Sequence, residues 1–346
     1  VQALQTELGL LQDAGEITVE ADTGNLDAYE LYLQGRQLFI ARDQLPRSME
    51  LLEQAVGLDP AFARAWETLA AVYSVAPSWN IQDREYVRLS NEAAERALAL
   101  NDRLSMAWAV LGSNAANEAQ DFINGIDYLD KSLVNDPRNT TALLWRSIFY
   151  STLGFLDQAI ADGRACLELD PQYQNCRRHL AIHHLARGDK DIAMNLYLQG
   201  VRAGFKGSSA NFTYQLAQDG NDMAAALALW DMREDITYPA ELILDAMAEP
   251  GADQRDRRER FLRWAQTKDR PLRSWTNELL VVQGFDLLEP FDFGNPWIWL
   301  PQSAAFRATP QFNAMLSENG WLEYWQQRGF PPQCRPVGED DFECTH

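Results

Sequence analysis

Several things are scarce in this chain of 346 residues, and each scarcity narrows what it can be. Histidine occurs four times and cysteine four times. So few imidazoles leave little material for acid–base or metal chemistry. No window approaches the ~18 to 20 apolar residues that a membrane-spanning helix needs. The run Leu279-Leu280-Val281-Val282 is far too short. No secretory leader opens the chain either. It begins with Val1 rather than Met, so an upstream catalytic domain, targeting segment or membrane anchor is expected to precede it. Basic residues are outnumbered 30 to 50, a net charge of −20. Such a surface repels nucleic acid and anionic lipid, so neither is assigned as a partner. A phosphate-cradling Gly-x-x-x-x-Gly-Lys loop, a Gly-x-Ser-x-Gly elbow and a His-Glu-x-x-His pair are all missing. Carboxylates are plentiful, but no motif positions a pair of them for glycosidase chemistry. The chain reads as a non-enzyme without a cofactor.

What is present is period. Apolar residues make up 46% of the chain, with much Leu and Ala and few β-branched residues, which favours helix over strand. Asp-Pro follows a Leu-rich helical run at Asp59-Pro60, Asp136-Pro137 and Asp170-Pro171, and Asn101-Asp102 takes the same place after Leu100. The last two prolines are 34 residues apart, the length of one tetratricopeptide repeat. The inner positions agree. Trp66, Leu69 and Ala70 stand in register with Trp108, Leu111 and Gly112. Gly154 and Ala159 stand in register with Gly188 and Ala193, while Leu143 and Leu180 fill the fourth and seventh positions of their repeats. Gly35, Leu52 and Ala55 mark an earlier pair, and Leu216, Gly220 and Ala225 a later one. The expected fold is all-α: a tetratricopeptide-repeat right-handed superhelical solenoid with a non-repeat C-terminal cap. Each helix pair buries its apolar stripe against the next because it cannot bury it alone.

Four regions are expected. Residues 1–27 form an N-terminal helix and linker from a preceding domain. Residues 28–235 hold six helix pairs. Residues 236–284 hold degenerate pairs, and residues 285–346 an aromatic cap and tail. Two departures stand out. About eight extra residues around Trp79 split the second pair, projecting a loop. The fourth pair carries Arg146 and Ser147 where Leu and Gly are expected.

Parts of the chain resemble a known class. The stretch from Asn25 to Arg36 resembles the opening of repeats in bacterial multi-domain signalling proteins. So do Ala305-Phe306-Arg307, Pro310-Gln311-Phe312, Gly320 to Trp325 and Asp341-Phe342-Glu343-Cys344. These are similar to the C-terminal repeat regions behind winged-helix regulators of the acid-sensing type, class III nucleotide cyclases and serine/threonine kinases. Val1 to Leu8 resembles the end of the small domain that precedes such repeats. The resemblance implies a fragment of a transmembrane signalling protein, anchored by an upstream span, with the repeats as an extracytoplasmic sensor or interaction region in the periplasm.

Three functions are set against one another. The first is a scaffold that binds a protein or peptide. Its contacts would be the outward positions of the first helices: Arg64, Glu67, Ser74, Ser113, Asn117, Thr141 and Arg178. Their mix of hydroxyl, amide and charge suits an extended chain. The second is an oligomerisation scaffold using the aromatic segment 285–301, the oligomeric state being open. The third is a small-molecule sensor with a pocket between stack and cap at Trp297, Trp299 and Trp325. Cys176, His179 and His183 share one helix face with metal-ligand spacing, but Arg177 and Arg178 oppose a cation there, so no metal is assigned. Cys176 has a better use. The cysteines fall into two pairs, each ten residues apart, and are expected to form the disulfides Cys166–Cys176 and Cys334–Cys344. The first would join neighbouring helices across the Asp170-Pro171 turn, and the second would staple the polar tail. Both imply an oxidising compartment.

Overall fold

A computed structural model describes residues 22–41, 44–79, 81, 84–118, 120–204, 210–233, 237–288, 297–338 and 341–345. The N-terminal helix expected within residues 1–27 falls mostly outside the described residues, as does the middle of the segment 285–301.

Helices come in consecutive pairs: α1 (Leu26–Ala41) with α2 (Leu45–Leu58), α3 (Ala63–Val75) with α4 (Tyr86–Leu100), and α5 (Ser105–Glu118) with α6 (Phe122–Asn135). Then follow α7 (Thr140–Thr152) with α8 (Leu156–Leu169), α9 (Gln174–Arg187) with α10 (Lys190–Arg202), and α11 (Ala210–Gln218) with α12 (Asp222–Arg233). This is a tetratricopeptide-like solenoid. Beyond it lie α13 (Ala240–Ala248), α14 (Arg255–Ala265) and α15 (Thr276–Val281). The C-terminal region adds α16 (Ala304–Arg307), α17 (Pro310–Glu318), α18 (Trp321–Arg328) and a hairpin of β1 (Cys334–Val337) and β2 (Asp341–Cys344). The chain separates into two compact units, one ending at Ala107 and one starting at Trp108.

The Asp-Pro period has a concrete cause. At the first four junctions between pairs an Asp or Asn side chain accepts from the backbone N–H two residues on. The four bonds are Asp59 to Ala61 at 2.9 Å, Asn101 to Arg103 at 3.0 Å, Asp136 to Arg138 at 2.9 Å and Asp170 to Gln172 at 3.0 Å. This turn ends one helix and aims the next. Within the third pair, the two helices touch through glycine. A Cβ on Gly112 would lie 2.7 Å from Gly125 O, and one on Gly125 would lie 2.9 Å from Ala116 Cβ. Only glycine permits that approach.

One expectation is corrected. The chain was expected to be a transmembrane protein fragment, but no helix among the described residues is long and apolar enough to cross a membrane. The tail is a β-hairpin in which Cys334 faces Cys344. Phe342 supplies the burial that the polar loop lacks: it is buried against Phe312 and Trp325.

Candidate functional site

The outward positions of the first helices were the expected ligand contacts, and their environments differ. In the first unit Arg64 is exposed and paired with Asp22 at 2.8 Å. Ser74 is half-buried. Glu67 is committed elsewhere. Its Oε1 accepts from the backbone N–H of Met106 at 2.8 Å and of Ala107 at 3.3 Å, where α5 begins and its amides lack partners of their own. Burial raises the Glu67 pKa, and those two amides pull it back in part. Glu67 therefore joins α3 to the start of α5.

In the second unit Ser113 is buried and Asn117 exposed, and Asn117 Nδ2 donates to Ser113 Oγ at 3.1 Å. Thr141 is half-buried. Arg178 is half-buried and donates through Nη2 to His179 Nε2 at 2.8 Å. Other positions on the first helices of the later pairs are sealed. Ser151 and Thr152 on α7, Ile182 and Leu185 on α9, and Thr213 on α11 are all buried.

The C-terminal region does much of this sealing. Three of its side chains bind three successive carbonyls where α7 ends. Trp299 Nε1 donates to Thr152 O at 2.8 Å, Trp325 Nε1 to Leu153 O at 3.0 Å and Gln333 Nε2 to Gly154 O at 2.9 Å. The last carbonyls of a helix have no partner within it, and here the cap supplies the partners. Trp321 packs edge-on against Phe122, Tyr324 against Phe155, and Arg328 meets Asp127 at 2.8 Å. The pocket expected at Trp297, Trp299 and Trp325 is therefore closed at two of its walls: Trp299 is 1% exposed and Trp325 0%. Ile298, Trp299 and Leu300 are buried within their own unit, so that stretch of the aromatic segment offers no face to a second copy. No sequence signal local to residues 299, 325 or 333 marks this role, because its partners lie 147 to 179 residues away.

Arg146 and Ser147 also find their reasons. Arg146 grips Asp162 with Nε and Nη2, both at 2.7 Å, and Asp130 with Nη1 at 2.6 Å. One guanidinium thus joins α6, α7 and α8 where a repeat normally uses a Leu. Despite the opposing effect of burial, the two carboxylates raise its pKa. Ser147 is fully buried. It donates to Leu144 O at 2.7 Å and meets His183 Nε2 at 3.3 Å.

Both disulfides are present. Cys166–Cys176 joins α8 to α9 with Cα atoms 6.1 Å apart, and Cys334–Cys344 closes the hairpin with Cα atoms 4.0 Å apart. The first lies in a small apolar cluster with Leu143 and Leu144. With Cys176 bonded, the metal-ligand reading of Cys176, His179 and His183 loses its thiolate. Among the described residues no group of three or more His, Cys, Asp or Glu is placed to hold a metal ion.

No protein-family model matches the chain. It is similar to repeat proteins. Tetratricopeptide repeat protein 14 of Mus musculus is 24% identical over 210 residues, covering 58% of this chain and 24% of that protein. The chain thus spans about a quarter of the length of that curated relative. Among solved structures, PilW, described as a widely conserved type IV pilus biogenesis factor, shares 19% identity. That match covers 62% of this chain and 96% of PilW, with a TM-score of 0.48. PilF of Pseudomonas aeruginosa shares 16% identity over 70% of this chain and 98% of its own, with a TM-score of 0.47. A thermophilic tetratricopeptide-repeat protein of Thermus thermophilus shares 20% identity over 58% and 98%, with a TM-score of 0.42. These likenesses are distant and partial.

Proposed function

We propose that the chain is an extracytoplasmic interaction region of a bacterial signalling protein, binding a protein or peptide through inward positions that its own cap leaves open. The observation that carries the binding reading is the contrast along the first helices. Arg64 and Asn117 keep exposed polar side chains and Ser74, Thr141 and Arg178 partly exposed ones, while Ser151, Thr152, Ile182, Leu185 and Thr213 are buried. The compartment rests on the two disulfides, which persist where the surroundings are oxidising. The signalling context rests on the sequence resemblance of the two ends.

Photo-crosslinking residues placed singly at 64, 74, 117 and 141 test this reading. Capture of a partner from these positions, and none from position 95 on the exposed face of α4, is the expected outcome. Equal capture from position 95, or none from any inward position, removes the inward-face assignment. Glu67 is left alone in this test, because replacing it would strip the amides at the start of α5.

One observation favours assembly as a second reading. Leu26, Leu33 and Ile40 recur every seven residues on α1 and are 81%, 44% and 60% exposed. A seven-residue apolar ridge suits a second helix packed alongside. Sedimentation equilibrium of the unaltered chain and of Leu33→Glu decides it. A dimer dispersed by the substitution supports assembly, and a monomer in both removes it.

A further inference from the structure

Beside Arg146 the usual placement of charged and apolar side chains is inverted. Asp130, Leu133 and Val134 of α6, Arg146 of α7, and Gln158 and Ala161 of α8 line one shallow groove of about 550 Å³. One repeat length further along, 34 residues on, Leu180 holds the place of Arg146 and Glu168 the place of Val134. There Leu180 is buried and Glu168 exposed, the ordinary order of apolar below and charged above. The groove has instead a charged floor and an apolar rim, with Val134 81% exposed. The two ion pairs of Arg146 account for the floor. They do not account for the rim, since an exposed valine gains nothing from a guanidinium that is already engaged.

The charges of the floor do not cancel. Asp162 is buried and holds Arg146 with both oxygens. Asp130 gives Arg146 only Oδ1, and its side chain stays 48% exposed. Among the described residues its other oxygen has no partner. One cation against two anions leaves −1, with the excess at Asp130, so an anionic guest is disfavoured even with an arginine below. Asp130 and Val134 are one helical turn apart on α6, their Cβ atoms about 5 to 6 Å from each other. A guest that serves both needs methylenes to cover the valine and a cation to reach the carboxylate. Lysine is built in that way, an apolar stem with a charged head. One open oxygen suits its point charge better than the planar fork of arginine, which takes a carboxylate by both oxygens. On the α8 side Gln158 is exposed, and its amide can both donate to and accept from a peptide backbone. The field of a chain carrying −20 draws a cationic segment toward it.

We propose that this groove docks a lysine side chain of a partner peptide, the ammonium donating to Asp130 Oδ2 and the stem lying on Leu133 and Val134. Its walls belong to the second helices α6 and α8, apart from the outward positions of the first helices assigned above. The surface therefore goes beyond that reading, and either can fail while the other stands.

The test titrates the full chain with acetylated alanyl-lysyl-alanine amide and with its norleucine, arginine and glutamate counterparts at fixed pH and ionic strength. The methyl signals of Leu133, Val134 and Ala161 are followed by ¹³C NMR. The expected result is a saturable shift with the lysine peptide, which binds about tenfold more tightly than the norleucine peptide through one charge-assisted bond. Asp130→Asn keeps an oxygen for Arg146 and should erase that preference. Should the variant fail to fold, the titrations of the unaltered chain still decide. No saturable shift, equal binding of the lysine and norleucine peptides, tighter binding of the arginine or glutamate peptide, or a folded Asp130→Asn that keeps the preference overturns the proposal. So do shifts of these signals that grow with protein concentration alone, which would place a second copy in the groove.

Discussion

The turns that close α7 and α9 share one construction and have opposite surroundings. Each has a glycine at positive φ, Gly154 at +86° and Gly188 at +90°. Each has the same backbone bond reaching back five residues, Phe155 N–H to Tyr150 O at 2.8 Å and Asp189 N–H to His184 O at 2.9 Å. They stand 34 residues apart, one repeat length. Yet a Cβ on Gly188 would meet open space, while one on Gly154 would lie 2.6 Å from Gln333 Nε2 and 2.9 Å from Trp299 Cζ2. The α9 turn is finished by its neighbours: Asp189 accepts from Arg187 and meets His184. Where α7 ends, the finishing groups come from the cap. A repeat motif therefore fixes how a turn is built and leaves open what covers it.

The sharpest way to break this comparison is to add the same methyl group at both turns. Gly188→Ala should cost about 1 kcal/mol, the strain of a side chain at positive φ. Gly154→Ala carries that strain and also pushes Trp299 and Gln333 off the helix end, for about 4 kcal/mol in all. Equal losses in urea denaturation would mean that the cap is not held at this turn.

Acid should act on the same unit through His183. Burial lowers its pKa to about 3, below the ~6.5 of an unfolded histidine. In that interval the unfolded chain binds the extra proton, so stability is full above pH 6.5 and falls as pH drops toward 3, with about 3 kcal/mol lost by pH 4. Melting temperatures measured from pH 7 to pH 4 should fall less steeply in His183→Gln than in the unaltered chain. Parallel slopes would remove His183 as the source.

Removing the cap's staple is the next largest change. Cys334→Ser with Cys344→Ser should cost about 2 to 3 kcal/mol, the closure entropy of a short loop. Hydrogen exchange should locate the loss in the hairpin and α18 and leave α9 protected. Smallest is Trp325→Phe, which keeps a ring and deletes the N–H that serves Leu153 O. An unmet buried carbonyl should cost about 1 to 2 kcal/mol. A loss no larger than that of Tyr128→Phe, a ring outside the cap interface, would show that the bond adds nothing.

The sequence made part of this legible, and the division follows distance along the chain. Asp59, Asn101, Asp136 and Asp170 act on amides two residues away, so their spacing announced the repeat. Cys166 and Cys176 lie on helices joined by one of those turns, so their pairing could be read from position. Arg146 was legible as a departure, while its reason was not: Asp130 and Asp162 are each sixteen residues away on different helices. Glu67 shows the opposite error. An acid pointing outward from a first helix reads as a ligand contact, but this one turns to amides 39 and 40 residues on. Trp299 and Trp325 were placed in an aromatic cap and offered as walls of a pocket, and nothing local says which carbonyls they would meet.

The three bonds at the end of α7 also bear on the order in which the chain folds. Helix pairs close through contacts a few tens of residues apart, whereas these bonds link positions 147, 172 and 179 apart. Contacts so distant along the chain form late, since a long loop must close before they are rewarded. As the chain leaves the ribosome, the pairs through α12 can assemble while Trp325 and Gln333 do not yet exist. The carbonyls of Thr152, Leu153 and Gly154 must then be satisfied by water, and the apolar faces later covered by Trp299, Trp321 and Tyr324 stay open. The solenoid thus passes through a stage that is paired but uncapped, and that stage is the one most exposed to misassociation.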